Sequence, residues 1–123
     1  MTRWRVMTVD DSVAILTIIA AYLEGSEFEV VAAERDGVMA VERFAQERPD
    51  IVLLDLLMPG QPCIDTLGRM LAIDPEALVV VISSTESDRA VSECLSAGAQ
   101  SCFRKPFTRN EFVEFLRDLQ RVA

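Results

Sequence analysis

Histidine is absent from the 123 residues. Its absence removes the side chain that most often serves as a general base and leaves no imidazole to bind a metal. Three cysteines are present, Cys63, Cys94 and Cys102, but the number is odd and no two of them have Cys-x-x-Cys spacing. We interpret them as reduced thiols and expect a cytoplasmic protein.

Long apolar runs and blocks of positive charge are also missing. Half of the residues are apolar, yet no uninterrupted run approaches the roughly 20 residues that cross a bilayer, and no signal-peptide pattern precedes the first strand. The formal net charge is −8, without any cluster of Lys or Arg. We therefore expect no membrane association and no direct contact with nucleic acid.

No linker, repeat or low-complexity segment divides the chain. A chain of this length can bury roughly two thirds of its unfolded surface in one core. We predict that residues 1–123 form a single domain.

Five short aliphatic segments alternate with five segments whose apolar residues recur at helical spacing. The predicted strands are residues 3–9, 28–33, 51–55, 78–82 and 99–104. The predicted helices are residues 13–23, 37–48, 62–73, 88–97 and 108–119. Strict alternation predicts a doubly wound α/β domain with a parallel sheet, right-handed crossovers and helices on both faces.

The third predicted strand ends in an acid. Four aliphatic residues at positions 51–54 indicate a strand that is buried on both faces, and Asp55 follows them before Pro59 and Gly60 end the segment. Ligands bind at the carboxyl edge of an open parallel sheet, so Asp55 is a candidate site residue. Taken alone, Asp55 could equally open a turn.

Polar residues follow the other predicted strands at the same edge: Asp10 and Asp11, Ser83, and Lys105. Three carboxylates about 5 Å apart would repel by about 3 kcal/mol per pair at an effective dielectric near 20. A cation among them would relieve that repulsion, and oxygen donors favour Mg2+. A carboxylate facing the metal can accept a phosphoryl group. Singly, these residues also suit a helix cap, a turn and a solvated lysine.

Together these motifs resemble the response-regulator receiver domains of two-component signalling, in order and spacing. The matching motifs are Val9-Asp10-Asp11, Leu54-Asp55, Met58-Pro59-Gly60, Ser83, Ala97-Gly98-Ala99 and Lys105-Pro106-Phe107. The resemblance covers essentially the whole chain. It implies the CheY-like, flavodoxin-like (βα)5 fold with five parallel strands in the order 2-1-3-4-5.

The resemblance also implies a role for each site residue. Asp55 would be the phosphoacceptor, while Ser83 and Lys105 would hold the phosphoryl oxygens. Asp11, Asp55 and the Leu57 carbonyl would bind Mg2+ directly, and Asp10 mainly through water. The bond between Lys105 and Pro106 is expected to be cis, which would aim the lysine into the site.

By the same resemblance, the chain would be a signalling switch rather than an enzyme, although it would assist its own phosphotransfer and dephosphorylation. A histidine kinase or histidine phosphotransfer protein would phosphorylate it. A downstream target protein, or an effector domain removed from this chain, would read the result. The alternative is a receiver-like interaction module that works without phosphorylation.

Two rival classes are less consistent with the sequence. A haloacid-dehalogenase type phosphatase needs a second acid two residues after its nucleophile, where this chain has Leu57. A flavodoxin-like carrier would place phosphate against Asp10 and Asp11, which would repel it.

The chain departs from the receiver pattern at three places. Gln61-Pro62-Cys63 replaces the usual Met-Asp-Gly, and Leu57 and Thr85 occupy the positions that tune dephosphorylation in relatives. Cys102 replaces the usual aromatic residue of the fifth strand, so we expect a smaller packing difference between the two states of the switch.

Overall fold

The computed structural model describes residues 3–58, 60–84 and 88–122; Pro59 and Thr85 lie outside the described residues. The strands are β1 (Trp4–Val9), β2 (Phe28–Glu34), β3 (Ile51–Asp55), β4 (Leu78–Ser83) and β5 (Ser101–Arg104). The helices are α1 (Val13–Leu23), α2 (Gly37–Glu47), α3 (Cys63–Ile73), α4 (Asp88–Ser96) and α5 (Arg109–Val122). None of the helices in this described part has the length and hydropathy of a membrane span.

The five strands form one parallel sheet in the order β2-β1-β3-β4-β5, as predicted. Strand β3 lies at its centre, and all five of its residues are buried. Strand β2, which is more polar, lies at one edge. Asp55 pairs with Ile82, so β3 and β4 end at nearly the same level. The carboxyl ends of β1, β3, β4 and β5 consequently meet at one edge.

Side chains from the two faces of the sheet enter two separate apolar clusters. Alternation along β3 sends Val52 and Leu54 to the cluster covered by α2, α3 and α4, and sends Ile51 and Leu53 to the cluster covered by α1 and α5. Both clusters contain fully buried large side chains. Packing on both faces therefore fixes the position of β3 and of Asp55 at its carboxyl end.

Side chains cap the starts of two helices, and the peptide bond predicted to be cis is cis. Ser12 caps α1 by accepting a hydrogen bond from the Ile15 N–H, and Thr108 and Glu111 form a capping box at the start of α5. The bond between Lys105 and Pro106 is cis.

Eight of the ten elements differ from their predicted bounds by one to three residues, and two of these differences have a visible local cause. Strand β5 begins at Ser101 rather than at residue 99, because Gly98 has a φ of 117° and the Ala99 N–H bonds back to the Cys94 carbonyl to close α4. Pro62 does not lie inside α3. It is the N-cap, with an extended ψ of 144°, and its carbonyl accepts the N–H groups of the first helical turn.

Two glycines provide matched tests of helix packing. A Cβ on Gly37, at the start of α2, would collide with the Thr66 hydroxyl and lie 2.9 Å from Gln61 Oε1, whereas a Cβ on Gly68 in α3 would meet nothing within 4 Å. We expect Gly37→Ala to lower the free energy of unfolding by about 1 to 3 kcal/mol through overpacking. Gly68→Ala should raise it by about 1 kcal/mol. Urea unfolding measures both, and a change of the same sign in both variants would contradict this description of the α2 and α3 contact.

Candidate functional site

The predicted site residues come together at the carboxyl edge of the sheet. Asp10 directly follows β1, Asp55 is the last residue of β3, Ser83 is the last residue of β4, and Lys105 directly follows β5. The parallel sheet therefore assembles side chains that lie up to 95 positions apart in the chain.

Three carboxylates form the centre of the site. Asp10, Asp11 and Asp55 each offer one oxygen, and these oxygens lie within 4.8 Å of one another. Asp10 is 3% exposed and Asp55 is 5% exposed, while Asp11 is half-buried. Like charges this close and this poorly hydrated repel strongly unless a cation lies beside them.

Lys105 supplies one such positive charge. Its Nζ lies 2.8 Å from Asp10 Oδ2 and 3.4 Å from Asp55 Oδ1, and its side chain is 14% exposed. Burial would lower the pKa of Lys105, but the hydrogen bond to Asp10 and the charges of Asp55 and Asp10 outweigh it and raise that pKa. The lysine therefore stays charged and holds the two acids together.

The negative charge of Asp55 is only partly compensated by its surroundings. Burial raises its pKa, and the negative charge of Asp10 raises it further. The Lys105 ammonium and a hydrogen bond from the Leu57 backbone oppose this rise without cancelling it. Asp55 is thus a carboxylate whose negative charge is incompletely compensated, at a position that is fixed by a buried strand.

Ser83 and Lys105 are linked through the backbone. The Lys105 N–H donates to the Ser83 carbonyl at 2.8 Å, and the Leu56 N–H donates to the Ile82 carbonyl at 2.9 Å. Ser83 is 1% exposed. These bonds set the end of β4 against the segments that follow β3 and β5, so that the candidate hydroxyl, lysine and acid belong to one connected edge.

The donor set fits a magnesium ion. Three carboxylates and one ammonium leave two negative charges in excess, which a divalent cation would neutralise. All three acidic donors are hard oxygen ligands, and histidine is absent from the sequence. Asp10, Asp11 and Asp55 are therefore the residues that could hold Mg2+.

Two supporting contacts were not anticipated from the sequence. Arg35 donates to the Asp11 carbonyl at 3.1 and 3.3 Å, and the Ser12 N–H donates to Asp10 Oδ1 at 2.9 Å. Both orient the acidic segment that follows β1. A signal was present for Arg35, because it directly follows β2 and therefore had to lie at the same edge as the acids.

Cys102 occupies the half-buried position on β5 where the resemblance leads one to expect an aromatic ring. The neighbouring Phe103 does not substitute for that ring. It packs against Phe107, Phe112 and Phe115, within the cluster covered by α1 and α5. Successive strand residues face opposite sides, so the two positions are not interchangeable.

Comparison with known proteins agrees with this geometry. The sequence matches the family described as Response regulator receiver domain over residues 6–117. The chemotaxis protein CheY of Listeria monocytogenes is 33% identical over 112 residues, which cover 91% of this chain and 94% of the relative.

Solved structures give the same result. The response regulator domain of Thermotoga maritima CheB superposes with a TM-score of 0.88 at 26% identity, covering 98% of both chains. A chain of the CheX-CheY-BeF3-Mg+2 complex of Borrelia burgdorferi has a TM-score of 0.88 at 28% identity, covering 94% of this chain and 88% of the other. The chain therefore belongs to the response regulator receiver domain family.

Proposed function

We propose that this receiver domain is a phosphorylation-dependent signalling switch in which Asp55 accepts the phosphoryl group. The observation that carries the proposal is the buried Asp55 carboxylate, which lies within 4.8 Å of the Asp10 and Asp11 oxygens and 3.4 Å from the Lys105 ammonium. That combination supplies a nucleophile, a cation site and a fixed positive charge in one place.

The transfer itself follows from these positions. An Asp55 carboxylate oxygen attacks the phosphorus of a phosphohistidine, a P–O bond forms, the P–N bond breaks, and the electron pair leaves with the imidazole. Lys105 then shifts its hydrogen bond from the Asp55 oxygen to a phosphoryl oxygen. Ser83 donates its hydroxyl to a second phosphoryl oxygen. Bound Mg2+ supplies further positive charge for the phosphoryl oxygens.

The output arises from the new charge. Phosphorylation replaces the single negative charge of Asp55 with a phosphoryl group that carries up to about two, which draws Ser83 and Lys105 toward the phosphoryl group. Both residues are attached to elements that flank α4, so this edge of the domain rearranges. A cysteine at position 102 fills less volume than an aromatic ring, so phosphorylation alone shifts the population only in part, and the binding of a partner completes the shift.

Exposed apolar side chains suit this site to a protein donor. Five exposed large apolar residues lie near the starts of the segments that follow β1, β2 and β3: Val13, Val38, Met39, Leu57 and Ile64. These side chains form an apolar surface beside the site, to which a histidine kinase or histidine phosphotransfer protein would dock in the cytoplasm. A separate target protein or a linked effector domain reads the phosphorylated state.

Phosphorylation of Asp55 can be tested directly by intact-mass spectrometry after incubation with acetyl phosphate or phosphoramidate and Mg2+. The parent protein should gain the mass of one phosphoryl group, and Asp55→Asn should gain none. Asp50→Asn is the matched control, because Asp50 is exposed at the opposite end of the same strand, where it accepts the Arg5 N–H. An adduct that persists in Asp55→Asn would place phosphorylation on another residue, whereas no adduct in the parent would favour the interaction module that works without phosphorylation.

Mg2+ should stabilise the folded chain because the acids are brought together only in the native state. At 100 times its dissociation constant the ion should add about 2.7 kcal/mol to the free energy of unfolding. Asp11→Ala should lose most of this increment, whereas Asp118→Ala, which removes an exposed acid of α5, should keep it. Equal Mg2+ responses of the two variants in thermal unfolding would place the metal outside the acidic site.

In Mg2+-free buffer, Asp55→Asn should melt at a higher temperature than the parent at neutral pH. The reason is the raised pKa of Asp55, which means that folding disfavours its charged form. The penalty is full above the folded pKa and disappears as the pH falls below the unfolded value of about 3.9. The two melting temperatures should therefore converge in acid. A variant that is less stable than the parent at every pH would show that the Lys105 contact dominates instead.

A further inference from the structure

Two of the three cysteines lie side by side between α3 and α4. Cys63 is the first residue of α3 and Cys94 is in the last turn of α4, 31 positions later. Their Sγ atoms are 4.0 Å apart, and the residues are 7% and 2% exposed. Cys102 is half-buried on β5.

The two thiols are unbonded and in contact, with Cys94 placed to donate its S–H to Cys63 Sγ. A disulfide requires a separation of about 2.05 Å, far shorter than the 4.0 Å observed. Two metal–sulfur bonds of about 2.3 Å span 4.0 Å when the angle at the metal is about 120°. The observed spacing therefore suits one cation shared by both sulfurs.

A cavity of about 320 Å³ gives access to the pair. Both cysteines contribute to its wall, and so does Met58, whose thioether is a third soft donor. Most of the other described residues in the wall are apolar, and Glu93 pairs with Arg89 at 3.4 Å. The cavity thus offers sulfur ligands in a largely apolar setting.

This donor set selects the class of cation. Thiolate and thioether sulfur favour Cu+, whereas Mg2+ favours oxygen. A structural Zn2+ takes four ligands, and within the described ranges 3–58, 60–84 and 88–122 the one cluster of three or more metal-binding side chains is the acidic site of Asp10, Asp11 and Asp55.

We propose that Cys63 and Cys94, with Met58 beside them, form a binding site for a soft monovalent cation of the Cu+ class. On binding, two S–H bonds break, two metal–sulfur bonds form and two protons pass to solvent. No electron is transferred. The cation joins the helix that follows the Asp55 loop to the helix that follows Ser83, so that its binding restrains the relative position of α3 and α4.

Metal titration tests the proposal, with Ag+ in chloride-free buffer and Cu+ buffered by a chromophoric chelator under anaerobic conditions. Native mass spectrometry should find one tightly bound cation per chain in the parent and in Cys102→Ser, and none in Cys63→Ser or Cys94→Ser. Met58→Leu should bind about tenfold more weakly, the lower end of what a supporting ligand contributes. Saturating Mg2+ should not displace the cation, because the acidic site is separate.

Alkylation of the parent protein tests the proposal even if a serine variant does not fold. The parent is treated with Ag+, unfolded in the presence of an alkylating reagent, and mapped by peptide mass spectrometry. Cys102 should be labelled, and Cys63 and Cys94 should be protected. Protection of Cys102, labelling of either other cysteine, binding that survives Cys63→Ser, or Zn2+ bound more tightly than Cu+ would overturn the proposal.

Discussion

Burial of β3 on both faces is the constraint on which the other features depend. The aliphatic residues of this strand enter apolar clusters above and below the sheet, so the strand has no freedom to slide or turn. Asp55 must then lie at the carboxyl edge, only 5% exposed. Its charge is incompletely hydrated there, so the ionised form needs a nearby cation or hydrogen-bond donors, and without them the carboxyl group takes up a proton more readily.

The neighbouring strands meet this need in complementary ways. Lys105, placed by the end of β5, is shared between Asp10 and Asp55 and compensates part of their charge. Asp11 adds a third carboxylate, and Arg35 holds the Asp11 backbone by donating to its carbonyl. The resulting site keeps a net negative charge, because one ammonium does not compensate three carboxylates. Its excess negative charge explains its suitability for a divalent cation such as Mg2+.

Much of this arrangement could be predicted from the sequence because it depends on local patterns. Aliphatic runs specify the strands, alternation specifies a parallel sheet, and parallel strands bring the residues at their ends to one edge. Tertiary pairings could not be predicted in this way. The 4.0 Å contact between Cys63 and Cys94 depends on how two helices meet, and the late start of β5 depends on how Gly98 and Ala99 close α4.

A crystal structure grown with Mg2+ and beryllium fluoride would test the central claim most directly, because BeF3 is a stable mimic of a phosphoryl group. We predict that beryllium is bonded to an Asp55 carboxylate oxygen, that Mg2+ contacts the acidic cluster, and that Lys105 Nζ has left Asp55 Oδ1 for a fluorine. A structure in which Asp55 carries no adduct at saturating fluoride, while Lys105 still pairs with it, would contradict the assignment of Asp55 as the phosphoacceptor.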